Sequence, residues 1–317
     1  MNSKRIGVSF LLAILAELIF VFGINIYYLA GGSGEISITA NLIVAQLFNI
    51  VPLFLVILIG RRRDRAEKIF SDVLGFRRIK ISTALMTILY TFLIMPLSTL
   101  ANAISMLFVD NAVNEIAGDV LDVPFAVMFL IMAVFGPFCE ELVFRGAFFR
   151  GFRKSGNIFG AVIMSAVLFA IMHMNFNQAA YAVLLGIMMA LAAEATGSTT
   201  TSFIIHLIFN GQSVCLMYLS DKIDPELFAQ ELEMTYSTQE LLFIISVYLL
   251  LAVVCTAIAF CVLTWMAGNE GKLNFLRTVW MSRKNRQGKL WSVCLVIAVV
   301  LALIYMIAML VLQSLLG

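Results

Sequence analysis

The chain has two histidines, His173 and His206. Both stand inside strongly apolar stretches, and a third such stretch carries the adjacent carboxylates Glu140 and Glu141. Ionisable groups at membrane depth are costly and mark function by default. A carboxylate and an imidazole flanking one water can take its proton and make it a nucleophile. An imidazole N–H and an amide N–H are donors towards a developing oxyanion, worth roughly 10²–10³-fold each in a water-poor site. Glu140 and His173 therefore suit water activation, and His206 with Asn210 suits the oxyanion. The same atoms offer an alternative: Glu140, His173 and His206 form a familiar catalytic zinc set. No His-Glu-x-x-His helix is present, and the sequence leaves the choice between no cofactor and zinc open.

Spacing divides the labour further. Glu141 and Arg145 are four apart, so they share a helix face and can pair. Glu140 then points about 100° away round the helix. Phe169 shares a face with His173, and His206 shares one with Asn210. An inner turn is expected near Ser155-Gly156-Asn157. Glu140 lies 16 residues before Gly156 and His173 lies 17 after it, so a straight hairpin brings them to one height. His206 is about eight residues beyond its own turn near Ser198. It reaches that height only if the first hairpin projects past the membrane, as Arg150, Arg153 and Lys154 suggest.

The elements that must hold these residues are membrane helices. The chain is 317 residues long, 62% hydrophobic and 13% charged, well outside the range of a soluble domain. A helix crosses the hydrocarbon core with roughly 20 apolar residues. That rule gives an all-α polytopic fold of eight to nine spans. The nine candidates lie near 6–29, 39–60, 81–108, 122–144, 158–175, 178–194, 200–219, 240–267 and 290–315. Barrel strands are too short for these runs. The first run is longer than a cleaved signal core and is expected to stay as an anchor.

Charge gives the orientation. With the N-terminus inside, 20 of the 21 Lys and Arg residues fall in cytoplasmic segments, Arg145 among them, and Lys222 alone falls outside. The basic residues are an inner rim rather than a nucleic-acid patch. Segment 61–80 is expected to lie on the cytoplasmic surface as a basic segment, with 64–80 suited to a short helix there, and 221–239 to be an acidic outer loop with Pro225 at the first turn of a helix. The five cysteines sit in or beside apolar spans without a CxxC pair and are read as packing residues. The whole of 1–317 is expected to be one membrane domain in a prokaryotic plasma membrane.

At these residues the chain resembles the CPBP family of intramembrane proteases, the CAAX proteases and bacteriocin-processing enzymes also called the Abi family. The type II CAAX prenyl endopeptidase belongs to it. The family pattern is Glu-Glu-x-x-x-Arg, Phe-x-x-x-His and His-x-x-x-Asn. Here it is Glu140-Glu141-x-x-x-Arg145, Phe169-x-x-x-His173 and His206-x-x-x-Asn210, complete and in order. Phe144-Arg145-Gly146 and the run from Glu194 to Ser198 add to the likeness, which covers roughly 120–220.

The resemblance implies an eight-helix-like core, a cytoplasm-facing cavity and endoproteolysis by Glu- and His-activated water. It implies a membrane-associated peptide or protein substrate, with Arg145, Phe169 and Glu194 in support and no metal. It implies no particular substrate, prenylated or otherwise. The alternative is a scaffold or immunity protein that keeps the fold without proteolysis. A channel reading, with Glu17 and Glu194 as relays, lacks a continuous polar stripe.

Overall fold

The protein is described here by a computed structural model covering residues 1–33, 36–59, 69–234, 236–285 and 288–316. Among the described residues there are no strands, and nine apolar helices of 15 residues or more carry the architecture. They are α1 (Ser3–Leu29), α2 (Ile38–Ile59), α3 (Ile81–Ser105), α4 (Phe125–Arg153), α5 (Ile158–Met172), α6 (Phe176–Thr196), α7 (Thr199–Ile223), α8 (Thr238–Asn269) and α9 (Val293–Leu316). Eight are long and apolar enough to cross a membrane. The ninth, α5, has 15 residues, roughly 22 Å at 1.5 Å per residue, and is shorter than the hydrocarbon core.

Local chemistry sets the ends that matter for the site. Asn157 caps α5 by accepting from Gly160 N–H at 2.7 Å, and Asn175 caps α6 by accepting from Gln178 N–H at 2.7 Å. Gly197, with φ +75°, ends α6 in the left-handed conformation that glycine adopts freely. Ser198 then caps α7, accepting from Thr200 N–H. α5 and α6 form a tight antiparallel hairpin, α3 packs along α8, and α1 packs along α9. Exposed aliphatic side chains cover the outer faces of α1, α2, α8 and α9, as lipid-facing helices require.

The basic segments gather at one end of the bundle. Arg153 pairs with Glu194, Lys272 donates to the Glu194 carbonyl, and the Lys80 amide donates to Glu270. The opposite end joins the Ala112 amide to Asn177 and Gln313 to Glu115. Two expectations change. Arg145 is not a rim residue: its side chain is 0% exposed and lies within the bundle. Of the basic segment 61–80, residues 61–68 lie outside the described residues, and the remainder is not a surface helix. A π turn at Ile69–Val73 leads into an extended stretch in which Leu74 is fully buried. Its carbonyl accepts from the Thr199 hydroxyl at 2.7 Å, so α7 holds this stretch in the bundle. The acidic 221–239 segment carries a helix at Pro225–Glu233, capped by Asp224.

Candidate active site

Helix α4 presents the two glutamates from a break in its own regularity. Phe129–Phe135 and Leu142–Phe149 are π-helical, and the α-helical turn Gly136–Glu141 lies between them. Pro137 stands at the start of that turn, where its missing N–H and fixed φ are tolerated. π segments within α-helices recur at functional sites because they re-aim side chains. α4 continues to Arg153, whose side chain reaches Glu194 near the end of α6. His206 lies level with the glutamates, 3.0 Å from Glu141 and 3.7 Å from Glu140.

Glu141 and Arg145 form an ion pair of 2.9 Å with both side chains 0% exposed. The Glu141 oxygen that binds Arg145, Oε1, also accepts from His206 Nδ1 at 3.0 Å. The Arg145 guanidinium carbon sits 4.2 Å from the centre of the Phe169 ring, whose edges meet His173 and His206. Room for this cluster depends on Gly186. A Cβ there would lie 3.0 Å from Ala166 Cα and 3.3 Å from Arg145 Nη2.

Glu140 points the other way, into a cavity of 330 Å³ that it lines with His173, Phe169 and Asn210. A smaller adjoining space of 140 Å³ adds His206 and Tyr181 to the wall. Glu140 Oε2 is 3.7 Å from His206 Nε2, and its Oε1 accepts from Gln46 Nε2 at 2.8 Å. Gln46, on α2, is a site residue that the motif reading missed. Its signal was present: Gln46 and Asn49 stand three apart, on one face of an otherwise apolar span, and both line the cavity.

Hydrogen bonding fixes both imidazole tautomers. His173 Nδ1 contacts the Phe169 carbonyl at 2.9 Å, and a carbonyl can only accept. The proton is therefore on Nδ1, and neutral His173 offers a lone pair at Nε2. Its position is fixed by a strained turn: Met174 has φ +56°, and Asn175 Nδ2 donates to the His173 carbonyl at 3.0 Å. His206 likewise commits its Nδ1–H to Glu141. This corrects the reading of neutral His206 as an oxyanion donor. It can donate from Nε2 only as the imidazolium. Asn210 donates one N–H to the Met132 carbonyl at 3.0 Å and keeps the other.

Glu194 lies elsewhere, at the basic end, held by Arg153 through both carboxylate oxygens at 2.6 and 2.9 Å. Cys139 is buried beside the acids in sequence, and all five cysteines are free thiols. Among the described residues, no three His, Cys, Asp or Glu side chains are grouped so as to hold a metal. One Glu140 oxygen accepts from Gln46 instead.

The cavity lies away from the basic end of the bundle. From Glu140 it reaches Leu42, Gln178 and Ile116, towards the Ala112–Glu115 end, and its lining includes no residue of the basic loops. The resemblance implied a cytoplasm-facing cavity. If the basic loops are cytoplasmic, the wall of this one belongs to the other half of the bundle.

Comparison with protein families gives a match over part of the chain. The family model described as Type II CAAX prenyl endopeptidase Rce1-like aligns with residues 122–212. This segment is similar to the CAAX protease family. It runs from the start of α4 to the middle of α7 and includes Glu140, Glu141, Arg145, Phe169, His173, His206 and Asn210. The matched segment thus supplies most of the cavity wall, while α1 and α2 add Glu17 and Gln46 from outside it. No curated protein and no solved structure matches the chain.

Proposed function

We propose that the chain is an intramembrane endopeptidase that hydrolyses a peptide bond of a membrane-associated protein or peptide, with Glu140 as general base. The coarser statement, a CAAX-type intramembrane protease, rests on the family match. The observation that carries the finer one is the division between the glutamates. Glu141 is enclosed by Arg145 and His206, while Glu140 faces a cavity lined by His173 and Asn210.

In this scheme a water donates one proton towards Glu140 and the other towards His173 Nε2. Its oxygen attacks the scissile carbonyl as its proton passes to Glu140. The remaining Asn210 N–H and protonated His206 stabilise the oxyanion. Glu140 then returns the proton to the departing amine as the C–N bond breaks. Glu141 and Arg145 position His206, Phe169 packs between the imidazoles, and Gln46 holds Glu140. No metal enters the scheme.

The charge distribution supports a cytoplasmic N-terminus in a prokaryotic plasma membrane. With that orientation substrate reaches the cavity from the extracytoplasmic half of the bilayer. The test is a comparison of protein termini in membranes from cells carrying the wild type or Glu140→Gln. New termini that need the wild-type carboxylate support proteolysis. Identical termini, with the cellular effect retained, would favour a scaffold.

A further inference from the structure

A basic concavity lies apart from the site above. A cavity of 500 Å³ opens at the basic end of the bundle, lined by Arg77, Arg78, Arg150, Arg153, Lys154 and Lys272. We propose that it binds a phosphate-bearing anion, the group carried by an anionic lipid headgroup or by free phosphate.

The carboxylates in its wall already have partners. Glu194 gives both oxygens to Arg153, Glu270 accepts from the Lys80 amide at 3.0 Å and the Thr83 hydroxyl at 2.6 Å, and Asp72 accepts from Ser71. Among the described residues, Arg78, Arg150 and Lys154 have no carboxylate within ion-pair distance. An ordinary solvated rim lets its cations spread apart. Here the fold holds them together.

Arg150 and Lys272 are half-buried. The backbone at Gly75, with φ +72°, is laid so closely on Arg150 that a Cβ there would run into the guanidinium. Lys272 is fixed by its bond to the Glu194 carbonyl at 2.9 Å. Burial lowers the affinity of Lys272 for its proton. Glu194 opposes this, while Arg153, Arg150 and Arg77 push the same way as burial. Like charges fixed in a concavity at the membrane surface are relieved by a bound anion, and basic pockets at this level recognise lipid phosphate. The inference stands whether or not the chain cleaves peptides.

The test uses full-length protein in phosphatidylcholine nanodiscs, with or without phosphatidylglycerol, reading retained lipid by native mass spectrometry and stability by melting. The wild type should retain phosphatidylglycerol in preference to phosphatidylcholine and melt higher with it. Arg150→Gln and Lys272→Gln should each weaken retention about five-fold, while Arg277→Gln, outside the cavity, should not. Exposed Lys154→Gln serves where the half-buried variants fail to fold.

A second arm adds inorganic phosphate to phosphatidylcholine discs. Equal stabilisation by phosphate, lost in the same variants, identifies a free anion as the ligand. Preference for phosphatidylglycerol over phosphate identifies the headgroup. No gain from either, or equal retention by Lys154→Gln, Arg150→Gln and Arg277→Gln, overturns the proposal.

Discussion

Replacing Glu141 by Gln removes the negative charge from an enclosed pair, and the structure sets the size of the effect. One oxygen accepts from both Arg145, at 2.9 Å, and His206, at 3.0 Å. Removing one partner of a buried ion pair costs about 3–5 kcal/mol. Two features place this site at the lower end. An amide oxygen still accepts one of the two bonds, and Arg145 keeps Phe169, a contact worth up to about 2 kcal/mol when desolvated.

The expected loss is therefore about 3 kcal/mol. At roughly 2–4 °C per kcal/mol, melting of the purified protein in detergent should fall by roughly 6–12 °C. The double variant Glu141→Gln/Arg145→Met removes the stranded cation and should regain most of that loss, because apolar replacement of a buried pair is near neutral. A single variant melting within about 2 °C of the wild type, or a double variant melting below the single, would refute the reasoning.

Other outcomes follow from the same geometry. Gln46→Leu removes the hydrogen bond that holds Glu140 and should lower kcat about ten-fold with little change in melting, since a net hydrogen bond to a charged group is worth about 1.5–3 kcal/mol; unchanged kcat would remove Gln46 from the site. Asn210→Ala deletes one oxyanion donor and should leave residual cleavage, about 10²–10³-fold down, whereas His173→Ala should leave none. Elemental analysis should find no stoichiometric zinc and activity should survive strong chelators; one zinc per chain, lost with activity in His206→Ala, would favour a metalloprotease. Cysteines at positions 222 and 283 should label from opposite sides of the membrane, and labelling from one side would break the nine-helix topology.

Much of this was legible in the sequence because it depends on short spacing. The Glu141–Arg145 pair follows from i, i+4 geometry, and the height match of Glu140 with His173 follows from residue counts about Gly156. The turns near Ser155-Gly156-Asn157 and Ser198 are legible as breaks between apolar runs. What was not legible is long-range or irregular. Gln46 reaches Glu140 across 94 residues, which no local pattern encodes. The π segments around Gly136–Glu141 change the phase of α4, and regular helical spacing cannot foresee that. Arg145 counted as a rim cation because sequence gives charge and not depth. The tautomer of His206 needed its partner, and the burial of Leu74 needed α7 to close over the segment.

The most direct measurement compares hydrolysis of one identified substrate peptide by reconstituted wild type and Glu140→Gln, with melting matched to show intact folds. An amide cannot take the proton of water, and general-base catalysis contributes about 10²–10⁴-fold. The account predicts a loss of at least about 10²-fold in kcat with melting essentially unchanged. Cleavage by Glu140→Gln within about ten-fold of the wild type would contradict it, because the proton would then have gone elsewhere.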